Sequence, residues 1–339
     1  MKRFLVVLIA SVMFVTFVGF AIAEETEFDM STLKVGISSH AYNSASSIRQ
    51  TDFMTYAFQE SGCETVTLAA NGSVEQQLTD IESLLEQNVD IILMIPCQTD
   101  GYDVALQACK EAEVPVILVQ NSLSDAYKVG EDYLTLMQTN MVEEGYLVGK
   151  LISEIAETKL DGQARTLEIF ATPGTSAVND RNNGFSNAVR DFGNISLVAS
   201  QTTYSQVAES QSTVENYIMS TGEPTDEGIN TIAAMTHNCA VGAIAAIYNM
   251  GYTPNEDIYV VAIDGVLEDI ELILSGELYA CVEHPVYYGF QLVDIVREYY
   301  TTGSVEEFYD CPCNVFTAEN AQEYYDLYSH YDELINYTA

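Results

Sequence analysis

Short, apolar, strand-length runs separated by helix-length amphipathic stretches constrain this chain more than any other feature. In the first half they are "LKVGIS" (33–38), "ETVTLAA" (64–70), "DIILMIP" (90–96) and "VPVILVQ" (114–120). Between them, helical spacing predicts helices over 48–61, 73–89 and 105–112; Val74, Leu78, Ile81 and Leu84 fall on one face of the second. Strands that are apolar throughout, rather than alternating, are buried on both faces, as in a parallel sheet covered by helices. The order βαβαβαβ is that of a doubly wound unit.

The rhythm restarts near Gln138-Thr139-Asn140. A helix over 142–157 leads to "RTLEIFA", a helix after Asn179, "ISLVAS", a helix over 207–219, "INTIAAM", a helix over 240–250 and "IYVVAID". The tail holds "LYACVE", a helix over 286–300 and a last strand near 314–317. These few late elements complete both halves if the chain crosses between them more than once. The expected fold class is therefore α/β, with two doubly wound parallel-sheet lobes. At 339 residues and 48% apolar content, the chain has enough material for both cores.

The first residues, "MKRFLVVLIASVMFVTFVGFAIAEE", have a basic start, a long apolar run and Ala21-Ile22-Ala23. That layout predicts a secretory signal over 1–23, cut before Glu24; a run of 20 residues from Phe4 to Ala23 also keeps an uncleaved anchor open. The expected location is outside the cytoplasmic membrane, in the periplasm or on the membrane's outer face. The net charge of −38 repels phosphate backbones, which argues against a nucleic-acid partner. Seven cysteines in mostly apolar surroundings read as small buried hydrophobes, and neither they nor the four scattered histidines show metal-ligand spacing. No metal or cofactor is expected.

In doubly wound sheets, ligands bind beyond the carboxyl ends of the strands. Those ends carry Tyr42, Asn43 and Ser44 after the first strand and Gln120 and Asn121 after the fourth. In the second half they carry Arg181, Tyr204, Thr236, Asn238, Asp264 and Glu283. Neutral hydrogen-bonding groups with tyrosines, one cation and two carboxylates suit a polyhydroxylated ligand. Arg181 is the sharpest signal. The chain has only 12 Lys and Arg, yet one lies in the first turn of the helix after the turn Pro173-Gly174-Thr175-Ser176, where the helix dipole disfavours a cation. Either it faces an inward acceptor, or it pairs on the surface with Asp180.

The stretch "PGTSAVNDRNNGF" resembles the ribose-binding-like group of type I periplasmic binding proteins, in which a Gly-Thr-Ser turn precedes an arginine three residues before Gly-Phe. "LKVGIS", "VPVILV", "YVVAIDG" and "SGELYACVEHP" follow the family in order, so the resemblance runs from Leu33 to Asn314. It implies two lobes joined by three crossovers that close over one small ligand. The lobes would comprise 33–138 with 285–312 and 139–284 with 313–339. It further implies that Arg181 and Asp264 bind the ligand, that Tyr204 stacks on it, and that Tyr42 to Ser44 replace the family's first-loop groups. The sequence departs from the family at Gln120-Asn121, where Asp-Arg is usual, at Thr236, with Asn238 two residues on, and at Glu283, where Gln is usual.

The expected function is that of an extracytoplasmic solute-binding component of an ABC importer: a monomer that takes a sugar or similar polar molecule and meets a membrane permease. The alternative is a sensory module feeding a chemoreceptor or sensor kinase, with a non-sugar polar ligand. An enzyme is not expected, because G-x-S-x-G, G-x-G-x-x-G, the Walker loop and H-E-x-x-H are all missing.

Overall fold

The computed structural model describes residues 28–224 and 227–336. The leader expected over 1–23 lies outside the described residues. In the first part of the chain, β1 (Lys34–Ser39), α1 (Ala45–Glu60), β2 (Glu64–Ala69), α2 (Val74–Glu86), β3 (Ile91–Met94), α3 (Asp103–Glu111), β4 (Val116–Val119) and β5 (Thr135–Gln138) follow one another. The second part continues with α4 (Met141–Lys159), β6 (Ala164–Phe170), α5 (Ser176–Phe192), β7 (Ile195–Thr202), α6 (Val207–Thr221), β8 (Thr231–Ala234) and α7 (His237–Asn249). After these come β9 (Tyr259–Asp264), α8 (Leu267–Ser275), β10 (Ala280–Glu283), α9 (Gly289–Thr302), β11 (Phe308–Asp310), β12 (Val315–Thr317) and α10 (Ala321–Leu334).

The strands form two six-stranded sheets, ordered β2-β1-β3-β4-β5-β11 and β7-β6-β8-β9-β10-β12. Every neighbouring pair is parallel except β10 with β12. The chain passes from the first sheet to the second after β5, returns to pack α9 on the first, and crosses again between β11 and β12. Central strands such as Ile91–Met94 and Tyr259–Asp264 are buried throughout. The edge strands β2 and β7 mix polar with apolar residues and are partly exposed. Helices cover both faces of each sheet: α1 and α9 against α2 and α3 in the first lobe, α6, α7, α8 and α10 against α4 and α5 in the second. Among the described residues, no helix is long and apolar enough to cross a membrane.

Polar loop residues at the carboxyl ends cap the helices that follow. The Ser44, Ser73, Asn140, Thr175 and Thr236 side chains each accept a backbone N–H in the first turn of the next helix. The Thr175 cap starts α5 at Ser176, so Arg181 stands in the second turn rather than the first. The six cysteines from Cys63 to Cys311 are buried and unpaired, and Cys313 is half-buried.

Among the contacts between the lobes are a buried ion cluster and a backbone hydrogen bond. The buried Arg49 guanidinium of α1 donates from Nε and Nη2 to the Asp332 carboxylate of α10, at 2.9 and 2.7 Å, and pairs with Glu268 of α8 at 2.9 Å. The Ser122 N–H donates to Ser176 Oγ at 3.0 Å.

Helices α4 and α5 are in backbone contact, and only glycine permits it. A Cβ at Gly145 would sit 1.9 Å from the Arg181 carbonyl oxygen, and one at Gly184 would sit 1.9 Å from that of Val142. Gly145→Ala must therefore push the helices apart. Overpacking of this kind costs about 1–3 kcal/mol. Urea unfolding of Gly145→Ala is expected to show a loss of at least that size, whereas Gly162→Ala, with open space around it, should be affected only by its backbone angle.

Candidate functional site

The carboxyl ends of both sheets open on one cleft of about 750 Å³, lined by residues of both lobes. Its floor is built around Arg181. The guanidinium is buried, with Nε donating to Glu144 Oε2 at 2.7 Å and Nη1 donating to the Met235 carbonyl at 3.1 Å. Nη1 also lies 3.7 Å from Asp264 Oδ1. Nη2 has no hydrogen-bond partner among the described residues, and Arg181 lines the cleft, so a charged donor is left for an incoming oxygen. Surface pairing with Asp180 is not what the structure shows.

Glu144 is fully buried on α4 and carries a second partner, since the His284 Nδ1 lies 2.8 Å from its other oxygen. Burial alone would raise the Glu144 carboxyl, but Arg181 and His284 outweigh it and hold the group below its ordinary value. For Asp264 burial wins: its carboxyl is pushed up despite Arg181 and the His237 N–H, which donates to Oδ2 at 2.9 Å. His237 goes the other way. Burial opposes its charge, but the Asp269 carboxylate 2.7 Å from Nδ1 raises the imidazole to about 9, so it is an imidazolium at neutral pH.

The backbone is strained where it enters the cleft. Gln120, Tyr204, Ser205 and Asp264 have φ of 59°, 53°, 53° and 123°, all positive and all in the lining. Non-glycine residues rarely take such angles, and they persist where surrounding structure over-determines them, often at ligand sites.

Of the sequence-predicted residues, Asn43, Ser44, Gln120, Asn121, Arg181, Tyr204, Thr236, Asn238 and Asp264 line the cleft. Several are already engaged with protein. Ser44 and Thr236 cap helices, Gln120 accepts the Thr139 N–H and donates to the Pro285 carbonyl, and Asn121 donates to the Pro96 carbonyl. The Asn238 amide donates to the Ser205 carbonyl. Tyr204 is 56% exposed and offers a bare ring face.

Two predicted residues are not in the lining. The Tyr42 hydroxyl donates to both oxygens of Asp52 at 2.9 Å, which holds the ring outside. Glu283 accepts from the Asn314 N–H and side chain and from the Tyr328 hydroxyl, all on the side of β12 and α10. Successive residues along a strand point to opposite faces, so the residue after Glu283, His284, takes the cleft.

The lining also holds His40, Gln50, Asn71, Gln98, Gln206 and His237, which the sequence reading had not selected. Gln98 follows β3, so applying the carboxyl-end rule to that strand would have found it. Gln50 left no such signal in the sequence; it is a buried polar residue in the second turn of α1. Three of the four histidines, scattered in sequence, are gathered here; only His330 is elsewhere.

The family model for the periplasmic binding protein domain matches residues 35–303. The chain is similar to the galactofuranose-binding protein YtfQ of Escherichia coli strain K12, 28% identical over 234 residues that cover 69% of this chain and 71% of that one. It is 26% identical over 221 residues to the ribose import binding protein RbsB of Bacillus subtilis, covering 65% of this chain and 66% of that one. Among solved structures, a galactofuranose binding protein superposes with a TM-score of 0.80 at 25% identity, covering 88% of this chain and 99% of that one.

The His237–Asp269 pair sets a pH dependence of stability. The imidazole value is raised to about 9 from the ordinary 6.5, so the charged form stabilises the fold; the contribution is complete below about pH 6.5 and lost as pH rises through about 9. A shift of that size is worth about 3 kcal/mol. The stability advantage of the natural chain over His237→Gln, measured by urea unfolding, is expected to shrink by roughly that amount between about pH 6 and 10.

Proposed function

This chain belongs to the periplasmic binding protein domain family, and from that premise we propose that it is the sugar-binding component of an ABC importer. It takes a neutral furanose, pentose or similar polyol in the cleft. The observation that carries the reading is the Arg181 floor: a buried guanidinium held by Glu144 and Met235, with Nη2 unused and the Asp264 carboxylate 3.7 Å from Nη1. A fixed donor next to a fixed acceptor matches vicinal hydroxyls, each of which both accepts and donates. Two carboxylates already balance Arg181, so an anionic sugar would find no uncompensated positive charge there.

Around this floor, Asn43 and Gln98 supply further polar contacts, and the exposed Tyr204 ring covers an apolar sugar face. The galactofuranose and ribose binding of the related proteins supports the same ligand class. On this reading the lobes comprise 33–138 with 285–312 and 139–284 with 313–339, and they close as rigid bodies on the ligand. Working as a monomer outside the cytoplasmic membrane after export, the closed form is what a membrane permease recognises.

The test is a thermal-shift and calorimetric panel of D-ribose, L-arabinose, D-fructose, D-galactose and myo-inositol. A bound sugar at 100 times its Kd adds about 2.7 kcal/mol of stability. Asp264→Asn is expected to weaken the binding sugar by about 2 kcal/mol, roughly thirtyfold, as for a charged hydrogen-bond partner removed from a buried site. Arg181→Ala is expected to lose binding and also to destabilise the fold by about 3–5 kcal/mol, because it strands the buried Glu144 charge. A panel with no shift, or Asp264→Asn binding like the natural chain, contradicts the proposal.

A further inference from the structure

Arg49 joins the two walls of the cleft. It stands on α1, which packs on the first sheet through Met54, Ala57 and Phe58, and whose Ser46, Ser47 and Gln50 line the cleft. Its buried guanidinium reaches two helices of the second lobe. Nε and Nη2 donate to the two oxygens of Asp332 on α10, at 2.9 and 2.7 Å. Nη2 also donates to Glu268 Oε1 on α8 at 3.1 Å, and Nη1 lies 2.9 Å from Oε2. A planar fork that holds one carboxylate by both oxygens and a second beside it is geometry that arginine supplies and lysine does not. Glu268 stands one helical turn beyond Asp264, which belongs to the cleft floor. The guanidinium therefore ties first-lobe wall to second-lobe wall.

The crossover between β10 and α9 passes through the same cluster. Its Tyr287 hydroxyl donates to Asp332 Oδ1. The Tyr287 ring lies edge-on to Phe53 of α1 at 5.2 Å and against Tyr328 and Tyr331 of α10 at 4.7 and 4.9 Å. Phe53 and Tyr331 also meet directly, at 5.4 Å. The last helix of the second lobe is thus moored to the first lobe at a point where no chain connection follows it. On the opposite face of the sheets, the Ser122 N–H meets Ser176 Oγ at 3.0 Å, and a Cβ at Gly174 would sit 2.3 Å from Gln98 Oε1. The lobes therefore touch on both sides of the cleft. Arg49, Glu268, Tyr287 and Asp332 are themselves outside its lining.

We propose that the Arg49–Asp332–Glu268 cluster is an interlobe latch that sets how tightly the cleft holds its ligand, with Arg49 and Asp332 as positioning residues that do not touch it. This rests on the sugar-binding reading above and deepens it. The walls cannot part without drawing Arg49 off one carboxylate or the other. Apparent affinity scales with the fraction of chains in the binding-competent form, so a latch that favours the closed form strengthens every ligand by the same factor. Each lobe has its own core, built from other residues. Carboxylates that lose Arg49 reach water once the lobes separate, so loss of the latch opens the cleft rather than unfolding either lobe.

Calorimetry and small-angle scattering of the full mature chain test the latch. Arg49→Gln is expected to weaken the two panel sugars that bind best by about tenfold each, leaving the ratio of their affinities unchanged. Asp332→Asn, which keeps the side-chain shape and leaves Arg49 paired with Glu268, is expected to weaken both by about threefold, and it carries the test if Arg49→Gln does not fold. Affinities equal to those of the natural chain, or a loss that changes the ratio between the sugars more than threefold, overturn the latch whatever the scattering shows. Either result, with Asp264→Asn still binding weakly, leaves the sugar site standing. If no panel sugar binds the natural chain, the sugar reading fails by itself and ligand-free scattering decides the latch. Arg49→Gln is then expected to have a larger radius of gyration than the natural chain, and an equal radius overturns the proposal.

Discussion

The ion pair between Arg181 and the fully buried Glu144 is the constraint on which the rest of the site depends. It is made at the contact where α4 and α5 touch backbone to backbone: Gly145, next to Glu144, lies against the carbonyl of Arg181 itself. Charge placement and helix packing are thus one feature. A buried carboxylate in an apolar lobe is costly unless paired, and the pairing fixes a long side chain that otherwise has many rotamers. From the same carboxylate, His284 is held in a single orientation. One buried charge thereby positions two of the groups that face the cleft.

The second lobe extends this economy. Asp264 accepts the His237 N–H, His237 is held by Asp269, and the other Asp269 oxygen accepts the N–H groups of Gly265 and Val266. The turn after β9 is therefore locked from both ends, which is how a non-glycine residue is kept at a φ of 123°. The first lobe contributes fewer charges and more neutral polar groups. Between the lobes, the buried Arg49 cluster with Asp332 and Glu268 sits beside the cleft, so the C-terminal helix takes part in how the two halves meet.

Much of the fold was legible because a parallel sheet buried on both faces writes itself as unbroken apolar runs. β3, β4 and β9 are such runs. What stayed hidden was short or polar. β5 and β11 have four and three residues with mixed burial, and α8 and α10 lie in strongly acidic sequence. Most of the residues that the carboxyl-end rule selected do line the cleft. The rule could not say which polar residues were spent on capping, as Ser44 and Thr236 are, nor which way a strand's last side chain points. The exchange of Glu283 for His284 is that one-residue ambiguity. Glu144 was invisible for another reason: a glutamate in the first turn of a helix, in a chain with 50 acidic residues, reads as surface. The question raised by Arg181 has its answer in a residue that no motif marks.

A crystal structure of the sugar-bound chain tests the central claim most directly. The account predicts an Arg181 guanidinium still seated on Glu144, with Nη2 donating to a ligand oxygen at about 2.9 Å and Asp264 accepting a neighbouring hydroxyl. A ligand bound without contact to either group, or an Arg181 that has left Glu144 to reach it, would contradict the account.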